Sequence, residues 1–250
     1  MKRTDAQIYI YAHKPVDYGI WDNALYTPLQ GGDAERFLDL RDSDGEDNIA
    51  PSNSVFAENT GLYWIWKNHP KDLKYIGVCQ YRRRLEFPEY LDFEAVFKEY
   101  DAIAAQPIRL PNVRQQYSVC HSPKDMIVLE DTIRQIYPDY ASDFDKFLNR
   151  GTTVYYSNGM VMRAEDFDKY CEWLFNILFK FIENNGWMSM NEVEDSVWYE
   201  IQNKQRKGTR GFRYQEQICG FLSERLLTLW LMRNCKVLNV PYKKFEGIIL

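Results

Sequence analysis

The segment Tyr75-Ile-Gly-Val-Cys-Gln-Tyr-Arg-Arg-Arg-Leu85 constrains this chain more than any other. Its apolar run, with Ile76, Val78 and Cys79, reads as a buried strand. The run stops abruptly at Gln80, Tyr81, Arg82, Arg83 and Arg84. In a parallel α/β sheet, the carboxyl ends of the strands open onto the crevice where ligands bind. Guanidiniums placed there suit an anion, because each is a permanently charged planar fork that meets phosphate oxygens in pairs. The competing reading is a strand that runs out into solvent carrying surface charge of little energetic weight.

The flanking chain supports an α/β class. Gln7 to Ala12, rich in Ile and Tyr, reads as a first strand stopping at His13-Lys14-Pro15. Pro28-Leu-Gln-Gly-Gly32 has neither dinucleotide nor Walker spacing, which leaves a turn or a close backbone approach to a ligand. Residues 39 to 53 are acidic and irregular. The Asp42-Ser43-Asp44 triplet is of the kind that holds Mg or Mn on a diphosphate, while a solvated loop is the simpler expectation for Asp42 and Asp44. Ser52 to Asn68 reads as a helix, with Ser52 and Asn53 as caps, Leu62, Tyr63 and Trp66 at helical spacing, and Pro70 as the stop.

Tyr100 to Ala105 reads as the sheet neighbour of the organising strand. His121 stands just ahead of a helix spanning about Asp125 to Ile136, and either faces a site or makes a structural hydrogen bond. A short helix then runs to Leu148. Thr152 to Met162 reads as a strand interrupted by Ser157-Asn158-Gly159, where the glycine marks a close approach of ligand or backbone. Ala164 to Asn184 is a long helix, apolar on nearly all sides. After a polar stretch containing the basic segment Lys204 to Arg210, Gln215 to Met232 forms a last helix that carries Glu224 and Arg225. There is no internal repeat, so one domain is expected: a nucleotide-binding α/β part over about 1–162 and a helical acceptor or lid part over about 163–250.

Composition narrows the partners. A net charge of −5 argues against nucleic acid, whose binding rests on neutralising phosphates. Aromatic residues make up 16% of the chain, which fits stacking on sugars or bases and fits a Tyr-rich core equally well. The five cysteines show no metal-ligand spacing and read as reduced core residues of a cytosolic protein. No leader pattern follows Met1, and no apolar run approaches the length of a membrane span.

Five segments then occur in a recognisable order: Gly45-Glu-Asp-Asn-Ile49, Leu62-Tyr-Trp-Ile-Trp-Lys-Asn68, Tyr75-Ile-Gly-Val-Cys-Gln-Tyr-Arg-Arg83, Tyr156-Ser-Asn-Gly-Met-Val-Met162 and Gly220-Phe-Leu-Ser-Glu-Arg-Leu-Leu227. With them the chain resembles, over about residues 7 to 232, the bacterial capsular and exopolysaccharide glycosyltransferases long catalogued as a domain of unknown function, some of which are galactofuranosyltransferases. The resemblance implies an α/β fold, a GT-A-like nucleotide-diphospho-sugar transferase sandwich with additional C-terminal helices. It implies a UDP-sugar donor and a glycan acceptor of a class that is often lipid-linked. The expected location is cytoplasmic, with the inner face of the cell membrane as the alternative. The helix around Trp173 to Phe181 could dock there peripherally, against burial in the core as the simpler fate.

The resemblance also distributes roles. Ala12, His13 and Lys14 would line the uridine end; Asp47, Asn48 and Asn53 would position the donor or structure the site; Asn158 and Gly159 would contact its sugar. Better-known GT-A enzymes carry a metal-holding Asp-x-Asp where this chain has Gln80-Tyr81-Arg82-Arg83, and the family pattern usually has His at position 80. Arg82 and Arg83 are therefore expected to hold the diphosphate without a required metal, with Mg or Mn as the alternative. Glu224 matches the family's Glu-Arg-Leu motif and would be the catalytic base, against a structural Glu224–Arg225 network. His121 and Arg225 are secondary or acceptor-side candidates.

Overall fold

The computed structural model describes residues 5–15, 25–32, 34–87, 91–189, 191–193, 195 and 216–244. Ten strands are found among them: β1 Ala6–Ala12, β2 Tyr26–Gln30, β3 Tyr75–Gln80, β4 Arg83–Leu85, β5 Ala102–Ala105, β6 Ile108–Arg109, β7 Thr153–Val154, β8 Met160–Arg163, β9 Val237–Val240 and β10 Tyr242–Lys244. The helices, numbered in order, are α1 Asn53–Phe56, α2 Asn59–Asn68, α3 Phe93–Glu99, α4 Val113–Cys120, α5 Pro123–Ile136, α6 Ala141–Arg150, α7 Ala164–Asn184 and α8 Ile218–Asn234.

The organising segment forms the expected strand, in the middle of a mixed sheet. β3 lies parallel to β1, which in turn pairs in parallel with β2. On its other side β3 meets β8 antiparallel, and β8 is followed by β5 and β9. The expectation that β5 neighbours β3 is corrected: β8 lies between them, with Gly77 opposite Val161 and Ile103 opposite Val161 in turn. The end of β3 folds back through Tyr81 and Arg82 into β4, pairing Gln80 with Arg83, and β10 extends this corner. Pro28 is accommodated because β2 pairs only with β1 along its length and meets Arg41 by one bridge at Gln30.

Strand alternation sorts side chains to two faces, each buried. Tyr9, Ile76, Val78, Ala104 and Met160 enter a large core beneath α2, α5, α6, α7 and α8. Ile8, Ile10, Tyr75, Cys79 and Val161 enter a smaller core closed by Phe93 and Phe97 of α3. α3 is started by Asp92, whose carboxylate accepts the backbone N–H groups of Glu94 and Ala95. α7 buries ten residues, including Trp173, Phe175 and Phe181. Core burial, rather than a membrane face, is thus the fate of this helix, although Phe179 stays 42% exposed. Among the described residues no helix is long and apolar enough to cross a membrane.

Several boundaries differ from expectation for identifiable reasons. The helix over Ser52 to Asn68 is broken: a 3-10 turn (Ala50–Ser52) and α1 end at Ala57, whose φ is 50°, before α2 begins. Neither Ser52 nor Asn53 caps a helix through its side chain. The interrupted strand from Thr152 is two strands in two sheets, since β7 pairs with β6 and a tight turn at Tyr156–Asn158 redirects the chain into β8. α4 was not anticipated; Asn112 caps it by accepting the Gln115 N–H. The part beyond about residue 163 is not wholly helical, because β9 and β10 return to the sheet. Gln215 and the basic segment 204–210 lie outside the described residues.

Candidate functional site

At the end of β3, alternation turns Tyr81 into the smaller core and leaves Gln80 on the opposite face. Tyr81 is fixed by its N–H, which donates to the Tyr11 carbonyl at 3.0 Å. The Arg82 guanidinium is exposed and stands 5.1 Å from the Tyr81 ring, against which the His13 ring lies edge-on at 5.3 Å. Burial and then the charges of Lys14 and Arg82 push the His13 imidazole below its ordinary range. Gly31 donates its N–H to Ala12 O at 2.9 Å, so Ala12, His13, Lys14, the Gly pair and Arg82 gather where β1, β2 and β3 end. This flank is cationic and open.

Tyr11 shows why both glycines beneath this flank are needed. A side chain at Gly31 would overlap the Tyr11 hydroxyl, and one at Gly61 of α2 would come within 2.4 Å of its ring. Overpacking of this sort costs about 1–3 kcal/mol. The Tyr11 hydroxyl accepts from Asn53 Nδ2 at 2.7 Å, and the same amide reaches Ala57 O and Thr60 Oγ1. Asn53 therefore braces the floor of the crevice, its Oδ1 3.5 Å from where a Gly32 side chain would begin.

The other flank is acidic and enclosed. Gln80 Nε2 donates to Glu58 Oε1 at 3.0 Å, and Asn158 Nδ2 donates to the same oxygen at 3.1 Å. Gln80 Oε1 in turn accepts from Arg83 Nη1 at 3.4 Å, so the amide at position 80 links a guanidinium to a carboxylate. Asn158 Nδ2 also reaches Ser223 Oγ at 3.0 Å, which Asn59 Nδ2 approaches at 3.1 Å. Glu224 accepts the Ser157 N–H on Oε1 at 2.8 Å and pairs with Arg225 through Oε2 at 2.9 Å. Gly159 follows this turn, where a side chain would meet Leu85 of β4 at 3.6 Å.

Arg225 is only 1% exposed and lies between the rings of Tyr117 and Tyr156 at 5.2 and 5.4 Å. Its Nη2 donates to Gln116 Oε1 at 2.7 Å and its Nη1 to Phe221 O, which ties α8 to α4. Burial raises the Glu224 carboxyl to about 7; Arg225 opposes the rise, and the nearby Glu58 adds to it. Burial likewise raises Glu58 above the ordinary carboxylate range, with the amides and Arg83 opposing. Two interacting carboxylates whose burial raises their proton affinity suit proton transfer.

Backbone strain marks the same place. Among the described residues, the non-glycine residues with positive φ are Ala57, Ser157 and Asn158, at 50°, 68° and 51°. They flank Glu58 on one side and carry the Glu224 and Glu58 contacts on the other. Such conformations cost roughly 1–3 kcal/mol each and persist where the surroundings over-determine them.

Other expected residues lie apart from this network. Asp47 accepts from Tyr63 Oη at 2.9 Å and ties the loop to α2, while Asn48 closes the loop on itself through Gly45 O and Ala50 N. Asp42 is not solvated; it is fully buried and accepts from Thr60 Oγ1 at 2.5 Å. Asp44 takes the Arg41 N–H and the Arg36 guanidinium. The triplet's carboxylates thus make contacts within the protein, Asp42 through Oδ2 with its buried Oδ1 unpaired, and among the described residues no group of three or more His, Cys, Asp or Glu could hold a metal ion. His121 is buried, stacked on Phe221 at 3.8 Å, and serves the packing of α4 on α8. Sequence reasoning missed Glu58 and Ser223 as parts of the site. Glu58 has no local signal, since in the sequence it reads as an interior position of the Ser52 to Asn68 helix.

Comparison with known proteins agrees with this geometry at the level of fold. The chain superposes on the WbbM bifunctional glycosyltransferase (apo structure) with a TM-score of 0.76 at 22% identity, over 98% of this chain and 46% of WbbM. It thus spans just under half the length of that protein and shares its α/β transferase-type fold there. The mannosyltransferase Ktr4p from S. cerevisiae aligns over 70% of this chain and 62% of its own at 11% identity, and its TM-score of 0.34 is too low to bear on the argument. No curated protein matches the chain. The family model that does match covers residues 7–199, most of the chain and all the strands up to β8, and it places this protein as a member of the family described as "Domain of unknown function (DUF4422)".

Proposed function

We propose that this chain is a glycosyltransferase that moves a sugar from a UDP-sugar to a hydroxyl of a glycan. The observation that carries the reading is one strand end where an open flank, cationic through Lys14 and Arg82 beside the His13 imidazole, adjoins an enclosed pair of carboxylates, Glu58 and Glu224, beside Arg83. The fold shared with part of a protein described as a bifunctional glycosyltransferase supports it. In this reading Ala12, His13 and Lys14 border the uridine end, and Arg82 and Arg83 receive the charge that develops on the departing diphosphate. Charge-assisted hydrogen bonds contribute roughly 1.5–3 kcal/mol each, enough for two guanidiniums to stabilise that leaving group without a required metal. Asn158 and Gly159 border the donor sugar. Of the carboxylates, Glu224 is the one carried by the family's Glu-Arg-Leu motif, and inversion at the anomeric carbon needs one such group as base.

The finer assignment rests on the family resemblance: UDP-galactofuranose as donor, and extension of a capsular, exopolysaccharide or O-antigen glycan at the cytoplasmic face of the membrane. A second reading, a sugar- or nucleotide-binding module without turnover, is favoured by Gln80, because its amide cannot titrate where the family usually has His. Thermal shift and calorimetry with UDP, UDP-galactofuranose, UDP-galactose, UDP-glucose and GDP- and CMP-sugars, with and without EDTA, separate these readings. Selective, EDTA-insensitive stabilisation by one UDP-sugar, followed by UDP release on adding acceptor, is the expected result. Binding without release in the presence of glycan acceptors selects the module, and no response to any nucleotide removes the transferase reading.

A further inference from the structure

Glu58 and Glu224 are held in different ways. Glu224 has both oxygens engaged, one by the Ser157 N–H and one by the buried Arg225. Glu58 accepts the neutral amides of Gln80 and Asn158 on Oε1, and its carboxyl also takes its own backbone N–H, with no cation bound to it directly. Its Oε2 lies alongside Gly220 of α8, where a side chain would begin 3.7 Å from it, and Glu58 lines the same cavity as Gln80, Ser157 and Asn158. Gly220 also packs on Ala57, the strained residue that breaks the helix just before Glu58. The break at Ala57 points Glu58 inward, where a continuous helix would have carried position 58 onward along its axis.

We propose that Glu58 is the catalytic base of this site, taking the proton of the acceptor hydroxyl, and that Glu224 is a positioning residue. The proposal rests on the transferase reading. In the step it implies, the acceptor oxygen gives its proton to the Glu58 carboxylate and forms a bond to the anomeric carbon. The bond from that carbon to the β-phosphate oxygen breaks, and its electron pair leaves with UDP beside Arg82 and Arg83. Glu58 then returns the proton to solvent. The charged and titratable groups acting on Glu58 are Arg83 from β4, Glu224 from α8 and Tyr11 from β1; Gln80 and Asn158 face it as neutral donors. Arg225 anchors Glu224, so the charge beside Glu58 has a fixed position. Burial holds the Glu58 proton more tightly than an exposed carboxylate would, in the direction a general base for a hydroxyl requires.

The test compares Glu58→Gln, Glu58→Asp and Glu224→Gln with the unaltered chain, using the UDP-sugar it turns over, beginning with UDP-galactofuranose. Glu58→Gln keeps an acceptor oxygen for Gln80 and Asn158, so its melting temperature reports whether the fold survives. The expected result is a fall in kcat of roughly 10²–10⁴-fold with donor Kd nearly unchanged. Glu58→Asp regains part of the rate and moves the acid limb of the kcat/KM profile, whereas Glu224→Gln displaces that limb with a smaller loss of rate. A folded Glu58→Gln that keeps about a tenth or more of kcat, or loses less than Glu224→Gln, overturns the assignment while leaving the transferase reading intact. Failure of the unaltered chain to bind any UDP-sugar overturns both.

Discussion

On one flank of the β3 terminus charge is exposed and rests on aromatic rings; on the other it is buried and paired. Arg82 stands over Tyr81 in solvent, next to His13 and Lys14. Arg225, by contrast, lies almost fully buried between two tyrosines, bound to Glu224, Gln116 and a carbonyl. The same residue type thus does two jobs within one site. An exposed guanidinium adds little to folding and keeps its hydrogen-bonding capacity for a ligand. A buried one is committed to the protein, because removing either member strands an uncompensated charge.

Truncating each arginine in turn separates the two flanks most clearly. Arg225→Ala is expected to lower stability by roughly 3–5 kcal/mol, whereas Arg82→Ala stays within about 0.5 kcal/mol of the unaltered chain. Urea unfolding of the two variants measures both, and equal effects would erase the distinction between the flanks.

Next in size is the pH dependence of the buried flank. Glu224 titrates at about 7 in the folded chain against an ordinary value of 4.5, so the folded state binds its proton more tightly than the unfolded state does. The stability this contributes is fully present below pH 4.5 and is lost as pH rises to about 7, a change of about 3 kcal/mol. Glu58 acts in the same direction. Unfolding measured across that window should show the decline, and Glu224→Gln should reduce its slope. A wild-type curve that is flat or rising there contradicts the burial of this carboxylate.

The smallest effects are expected in ligand binding. Arg82→Ala and Arg83→Ala should each weaken UDP binding by about 1.5–3 kcal/mol, roughly 10- to 100-fold. Arg83→Ala should also alter the pH profile of stability through Glu58 and Glu224, whereas Arg82→Ala acts on His13 alone of these groups. Calorimetry with UDP and the unfolding series above report the two outcomes separately, and unchanged UDP affinity in both variants would remove the arginines from the diphosphate.

Much of this site was legible in one string. Apolar residues on both faces of Tyr75–Gln80 announced an interior strand, and the arginines after it announced a polar terminus. The β8 turn was legible as an interruption at Ser157-Asn158-Gly159, though not as a passage between two sheets, because pairing partners lie far apart in sequence. His121 was ambiguous for the same reason: a histidine before a helix looks alike whether it faces a ligand or stacks on Phe221. Asp42 read as solvated because its neighbours are acidic, and only the fold brings Thr60 and Tyr11 to it.

The sequence by itself determined the α/β class, the interior strand with its cationic end, and the long core helix over Ala164–Asn184, since each depends on short-range periodicity and residue type. Only the tertiary structure decided that Glu58 meets Asn158, 100 residues away, and shares its surroundings with Glu224. It also decided that Ala57 breaks the helix to allow it. The physical reason is that local propensity favours a continuous helix there. A strained backbone and a buried carboxylate are stable only once sheet, turn and α8 surround them.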